Sequence, residues 1–218
     1  MSDILDETVQ GLLAAGNGEP SPLLREMTEY GRERGFPIVG PAVGRFLRVA
    51  ATIAGAERVF EFGSGFGYSA AWVAPALPVD GEIHLTDFDE DNLATAREFL
   101  ERGEHAATAS YHVGDAMESF EAVDGAFDFV LVDHDKTLYE AAFERAAPRL
   151  RDGGVVVADN MMAGPVEPAA VRATLEGADP EDDTTAGVAA YIEAVREHPD
   201  FETVLVPLGQ GIAVSVKR

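Results

Sequence analysis

The chain has 218 residues, 46% hydrophobic and 25% charged, with no cysteine and a net charge of −23. That length suits one domain with a full core and is too short for two ordinary ones. No apolar run approaches the roughly 20 residues of a membrane span, and the missing cysteines exclude disulfides, thiolate zinc sites, iron–sulfur clusters and cysteine nucleophiles. The opening MSDILDETVQ carries acids where a secretory leader has a basic stretch, so no leader is expected and a cytoplasmic location is the default.

Asp and Glu number 39 against 16 Lys and Arg, and the only lysines are Lys136 and Lys217. The acids are spread along the chain and form no tail. That pattern predicts adaptation to molar salt, where self-repulsion is screened over a few ångströms; in dilute buffer the same repulsion destabilises the fold. The alternative is an acidic protein of an ordinary cytoplasm. With no basic patch to displace phosphate counterions, tight nucleic-acid binding is not expected.

Residues 4–15 read as a short amphipathic helix ending near Gly16-Asn17-Gly18. Ser21-Pro22 offers an N-cap and a first-turn proline for a helix over 22–34, which Gly35 and Pro37 end. After Pro41, the residues Val43, Phe46, Leu47, Ala50 and Ile53 recur at helical spacing. From residue 57, strand-like runs alternate with helical stretches. Strands are expected at Arg58–Phe62, Glu82–Asp87, Ser110–Val113, Phe127–Asp133 and Val155–Asp159, with helices over 68–76, 90–102, 116–121 and 137–149. Gly153-Gly154 reads as a turn feeding the fifth strand, and the Gly-, Pro-, Ala- and acid-rich stretch 164–183 as a surface excursion. A helix over 184–197 precedes a hairpin of Glu202–Pro207 and Gly211–Val216. The expected fold is α/β: a doubly wound, mostly parallel seven-stranded sheet closed by an antiparallel hairpin. It forms one domain, 1–218, with an N-terminal helical cap over 1–55 and an α/β core over 56–218.

The segment Glu61-Phe-Gly63-Ser-Gly65-Phe-Gly67 ends the first strand and opens a helix, where glycines let the backbone turn sharply and approach a ligand. Gly65-Phe-Gly67-Tyr-Ser-Ala70 also fits a loose dinucleotide fingerprint. Glu61 opposes that reading, because a carboxylate sits badly against a pyrophosphate and suits a ligand with an amino group. Twenty residues past Gly67, Asp87 stands where a carboxylate bonds both ribose hydroxyls. Gly114-Asp115-Ala116, at the third strand end, offers an acceptor for an adenine amino group. Each acid alone is more often a solvated surface group; three at matching strand ends point to a nucleoside without phosphates whose positive end lies near Glu61.

The fourth strand ends in Asp133-His134-Asp135-Lys136 and the fifth in Asp159-Asn160. Neighbouring strands of a doubly wound sheet deliver these ends to one crevice. Asp133, Asp159 and Asn160 then offer hard oxygen donors suited to Mg²⁺, and less specifically to Mn²⁺ or Ca²⁺; the alternative is that these strand-end acids cap helices or face solvent. Lys136 is an internal lysine in a chain nearly stripped of them. An ammonium is no base, but burial or a neighbouring cation favours the neutral amine, which can take a proton from a substrate hydroxyl. Its alternative is an ion pair with Asp133 or Asp135. His134 reads as an orienting or packing residue, with a base as the alternative, and Trp72, the one tryptophan, as packing on the first crossover helix.

These residues resemble the cation-dependent class I S-adenosylmethionine-dependent O-methyltransferases, the group of catechol and caffeoyl-CoA O-methyltransferases. The resemblance runs from about residue 22 to the end, through Phe36–Leu47, Glu61–Ser69, Thr86–Asp89, Gly114–Ala116, Asp133–Tyr139, Gly153–Asn160 and Pro207–Lys217. It implies that Glu61, Gly63, Gly65 and Ser69 line the methionine end of S-adenosylmethionine. Val39 would cover that cofactor, Asp87 would bind the ribose hydroxyls, Asp115 and Ala116 would hold adenine, and Phe88 would be a further cofactor contact. Asp133, Asp159 and Asn160 would bind a divalent cation, with Asp133 also near the cofactor and Lys136 as general base. A homodimer is implied too. Asp135 stands where the animal catechol enzymes carry an aromatic wall, Leu138 replaces an asparagine common in the bacterial and plant branch, and the family's Phe-Asn is absent near Tyr191-Ile192. The expected reaction is methyl transfer to one hydroxyl of a vicinal-diol aromatic small molecule. Methylation of a hydroxylated uridine in transfer RNA, a non-catalytic cofactor-binding module and a nicotinamide-dependent oxidoreductase are the competing readings.

Overall fold

The computed structural model describes residues 4–218. Helices α1 (Glu7–Asn17), α2 (Pro22–Arg34) and α3 (Gly40–Ala54) precede the sheet. The strands are β1 (Arg58–Phe62), β2 (Glu82–Asp87), β3 (Thr108–Val113), β4 (Phe127–Val132), β5 (Leu150–Ala158), β6 (Phe201–Val206) and β7 (Ile212–Lys217). They form one sheet in the order β3-β2-β1-β4-β5-β7-β6, in which β7 alone runs against its neighbours β5 and β6. The crossovers carry α4 (Tyr68–Val73), α5 (Glu90–Glu101), α6 (Ala116–Ala122) and α7 (Tyr139–Ala146), and α8 (Pro168–Leu175) and α9 (Asp183–Glu197) lie between β5 and β6. Among the described residues no helix is long and apolar enough to cross a membrane.

Side chains alternate across the pleat and so supply two apolar layers. Val59, Ile83, Leu85, Leu131 and Val157 pack with Leu24, Met27, Leu47, Trp72 and Leu93 on one face. Phe60, Phe62, Val130, Val132 and Val156 pack with Phe120, Phe143, Val188 and Tyr191 on the other. Each fully buried large side chain contributes about 1.5–3 kcal/mol, which makes these layers the main source of stability. Helices α2 and α3 are therefore part of the core, whereas α1 buries no residue. The strand order reverses between β1 and β4, and their C-terminal ends open the crevice that binds ligands in sheets of this type.

Three local expectations are corrected. Gly153-Gly154 lies inside β5, where the pairing with β4 shifts register; Gly153 takes φ 77° there, so the glycines serve a bulge and not a preceding turn. The stretch 164–183 contains α8, whose Ala170 and Val171 are buried on the second layer or beside it; its small residues hid the apolar stripe. Ile53 is 82% exposed, because it lies about 200° around the helix from the buried Ala51.

Helix α3 approaches α4 closely at Gly44, where an added Cβ would collide with the indole of Trp72, itself almost wholly buried. Gly44→Ala is expected to lower stability by about 1–3 kcal/mol, since the ring has no free space to enter. Urea unfolding in constant salt measures this; an unchanged midpoint would show that the two helices part at no cost.

Candidate active site

The glycine loop between β1 and α4 is held by the end of β2. Gly63, Gly65 and Gly67 take φ 83°, 50° and 79°, and at Gly63 a Cβ would lie 2.5 Å from the Asp133 carbonyl oxygen, so only glycine lets these two strand ends meet. Thr86 clasps the loop on both its main-chain and side-chain groups. Its hydroxyl donates to the Glu61 carbonyl at 2.7 Å and accepts from the Gly63 N–H at 3.1 Å. Its N–H donates to Ser64 Oγ at 3.1 Å, and its carbonyl accepts from the Ser64 N–H at 2.7 Å. Asp87 Oδ2 accepts from the Gly65 N–H at 3.0 Å, and Oδ1 from the Asp89 N–H at 2.8 Å and Asn92 Nδ2 at 3.1 Å. The carboxylate expected at a ribose is thus fixed in direction before any ligand arrives. Sequence reasoning missed Thr86 and Asn92; the only local signal was a hydroxyl residue beside Asp87.

A cleft of about 1000 Å³ opens at these strand ends. Val39, Gly63, Ser69, Asp87, Phe88, Ala116, Asp133, Lys136, Asp159 and Asn160 all line it. Phe88 stands 73% exposed. Three expected site residues lie off its wall. Glu61 is wholly buried behind Ser64 and Ser69. Gly65 packs towards the ring of Phe36. Asp115 Oδ1 caps α6, accepting from the N–H groups of Met117 at 2.7 Å and Glu118 at 3.2 Å, so that atom serves the helix.

Buried charge is concentrated here. Both carboxylate oxygens of Glu61 lack a hydrogen-bond partner. Burial pushes the Glu61 carboxyl up to about 7, against the opposing pull of the nearby Ser64 and Ser69 hydroxyls, and the charge of Asp133 adds to the rise. Asp133 and Asp159 follow β4 and β5 directly, and the Asp133 N–H donates to Phe62 O at 2.9 Å and the Asp159 N–H to Val132 O at 3.2 Å, which continues the sheet pairing and sets the two acids side by side. Asp159 is 4% exposed and its Oδ1 has no partner. Burial and the neighbouring Asp133 charge raise it to about 7. Burial also raises Asp133, opposed by Lys136. Lys136 Nζ donates to Asp133 Oδ1 at 3.0 Å and to the His134 carbonyl at 3.1 Å, over the Tyr139 ring. The ion-pair alternative for Lys136 is therefore realised with Asp133. Asp135 instead caps the following turn through Thr137. His134 stacks on Tyr139 at an interplanar angle of 13°, and burial lowers it to about 4, so it is a neutral packing group at pH 7.

Among the described residues no three His, Cys, Asp or Glu side chains form a cation cage; the expected set has two carboxylates and one amide. Asn160 donates from Nδ2 to Gln210 Oε1, which leaves its amide oxygen as the available donor. Gln210 lines the cleft from the β6–β7 turn and was not singled out in the sequence.

Glu61 is expected to govern part of the pH dependence of stability. Its carboxyl sits at about 7 in the fold, against 4.5 for an ordinary glutamate. The neutral acid therefore favours the fold at low pH, and this contribution is lost as pH rises through about 7, at a cost of roughly 3 kcal/mol by pH 8. Glu61→Gln should reduce the fall in melting temperature between pH 5 and 8, leaving the slope due to Asp159, whose carboxyl is also raised to about 7. Parallel profiles for the two proteins would place the buried charge elsewhere.

Residues 18–218 match the model of a family described as O-methyltransferase. A catechol O-methyltransferase of Niastella koreensis is 30% identical over 168 residues, covering 74% of this chain and 71% of that protein. An O-methyltransferase from Bacillus cereus, solved in complex with SAH, superposes with a TM-score of 0.84 at 23% identity over 97% of both chains. TomG of Streptomyces achromogenes, involved in tomaymycin synthesis and solved with SAM, gives 0.81 at 24% identity over 96% of both chains. The last two show the shared fold. The chain belongs to the O-methyltransferase family, and is an enzyme of methyl transfer to oxygen.

Proposed function

We propose that the chain transfers a methyl group from S-adenosylmethionine to one hydroxyl of a vicinal-diol aromatic small molecule, with the help of a divalent cation. The observation that carries this reading is that buried acid oxygens without a hydrogen-bond partner stand at one cleft: both oxygens of Glu61, behind its glycine loop, and Oδ1 of Asp159, on its wall. A buried charge without a partner is costly, and a ligand that brings a positive charge to it removes that cost. A ligand with an ammonium group fits Glu61. A divalent cation fits Asp133, Asp159 and the free oxygen of Asn160, a set of hard donors. Mg²⁺ suits it best, with Mn²⁺ or Ca²⁺ as substitutes.

When bound, S-adenosylmethionine supplies a sulfonium methyl group and the cation supplies positive charge that favours an ionised diol oxygen. The chain's own residues position and exchange protons. Asp87, fixed by Gly65, Asp89 and Asn92, takes the ribose hydroxyls. Ala116 and Phe88 border the adenine, with Asp115 behind them. Val39, Gly63 and Ser69 line the methionine end and exclude water, with Gly65 behind them against Phe36. Lys136, with its side chain 13% exposed beside Asp133, would act as the neutral amine that a neighbouring cation favours, having first lost its own proton to solvent, and would accept the proton of the acceptor hydroxyl at Nζ. Closeness and alignment within such a cleft contribute to the acceleration of an in-line displacement. A homodimer and a high-salt cytoplasm belong to the same reading, from the family resemblance and the composition.

Methyl transfer to a panel of small catechols in molar KCl tests it, with Mg²⁺ and again with EDTA. Turnover is expected only with Mg²⁺, and Lys136→Met should lower kcat by roughly 10²–10⁴. Turnover indifferent to EDTA would remove the cation from the reaction, and full turnover by the lysine variant would remove the base. Label recovered in transfer RNA and in no catechol would make hydroxylated uridine the acceptor.

A further inference from the structure

The cation reading leaves one question of orientation. Asn160 has an amide, and either end of an amide can face a ligand. Only the oxygen end binds a cation; the NH₂ end repels it. Something other than the cation has to choose.

Asn160 is 8% exposed and is the one non-glycine residue with positive φ, 63°, among the described residues. Its backbone therefore holds a conformation that needs support from its surroundings. That support comes from the turn between β6 and β7. The Met161 N–H donates to Gly211 O and the Met162 N–H to Gln210 O, both at 2.9 Å. Gly211 is pressed against Met162, and a Cβ at Gly164 would collide with Gln210 Oε1. Within this clasp Gln210 Oε1 accepts from Asn160 Nδ2.

We propose that Gln210 is a positioning residue for the cation site: by occupying the NH₂ end of the Asn160 amide, it turns the Asn160 oxygen towards Asp133 and Asp159. The inference rests on the cation reading above. Partners that orient a metal ligand in this way typically account for 10–100-fold in affinity.

Mn²⁺ affinity, measured by calorimetry and by the loss of free-ion EPR signal, tests this without turnover. Gln210→Met keeps the side chain's length but offers no acceptor to Nδ2. It should weaken Mn²⁺ binding by roughly 10-fold or more, with S-adenosylmethionine affinity and far-UV circular dichroism unchanged. Gln210→Glu can only accept at that position, so it should bind Mn²⁺ at least as tightly as the wild type. Excess Mn²⁺ should restore kcat in the methionine variant. Wild-type affinity in the methionine variant overturns the role. Equal weakening in both variants also overturns it, because the acceptor would then be irrelevant. If the wild type itself binds no Mn²⁺, the cation reading fails and this role fails with it. Should the methionine variant not fold, Gln210→Ala replaces it with the same expected loss.

Discussion

The active cleft depends on negative charge that the fold buries and leaves unpaired. Glu61 is wholly enclosed, with only the Ser64 and Ser69 hydroxyls near its oxygens and no charged partner, and Asp159 is nearly so with one oxygen free. A stable fold ordinarily avoids such groups or pairs them. Here two sit at the carboxyl ends of β1 and β5, close to the point where the strand order reverses. The core layers on both faces of the sheet carry the cost. Under the proposed function the cleft would receive positive charge at two places, with little reorganisation when it arrives.

The backbone around these acids is built to keep them there. Gly63 lets the β1 end touch the carbonyl of Asp133, so the glycine loop and the β4 end share one wall. Thr86 ties that loop to β2 through main-chain and side-chain groups alike. On the other side the β6–β7 turn grips residues 160–162. The antiparallel hairpin thus does more than close the sheet: its turn supports the loop that follows β5. Lys136 is held on the same wall by Asp133, so under the proposed function Asp133 would join the proton acceptor to the cation donors.

Much of this was legible in the sequence, because it is written in local runs. The apolar strands, the glycine loop and the acids at strand ends are contiguous patterns, and β1 and β2 match their expected bounds residue for residue. The Pro22 start of α2 and its Gly35 stop follow from capping chemistry alone. What stayed hidden depends on pairs far apart in the chain. Thr86 finds Glu61 across 25 residues and Gln210 finds Asn160 across 50, and neither has a local signature. Asp115 shows the opposite limit: an acid at a strand end serves a ligand and a helix cap equally well in sequence, and here one oxygen serves the cap. Helix α8 escaped because its stripe is short and made of small residues.

The most direct test of the central claim follows the proton on Glu61. At about 7 in the unliganded fold, this carboxyl is close to half protonated at neutral pH. An ammonium group brought beside it would drive that proton off. Calorimetry of S-adenosylmethionine binding at pH 7, run in two buffers of different ionisation enthalpy, counts protons released. The account predicts a release of roughly half a proton by the wild type, absent in Glu61→Gln, which should also bind more weakly. Release of the same size in both proteins, or none in the wild type, would contradict it and leave Glu61 a buried acid with no part in binding.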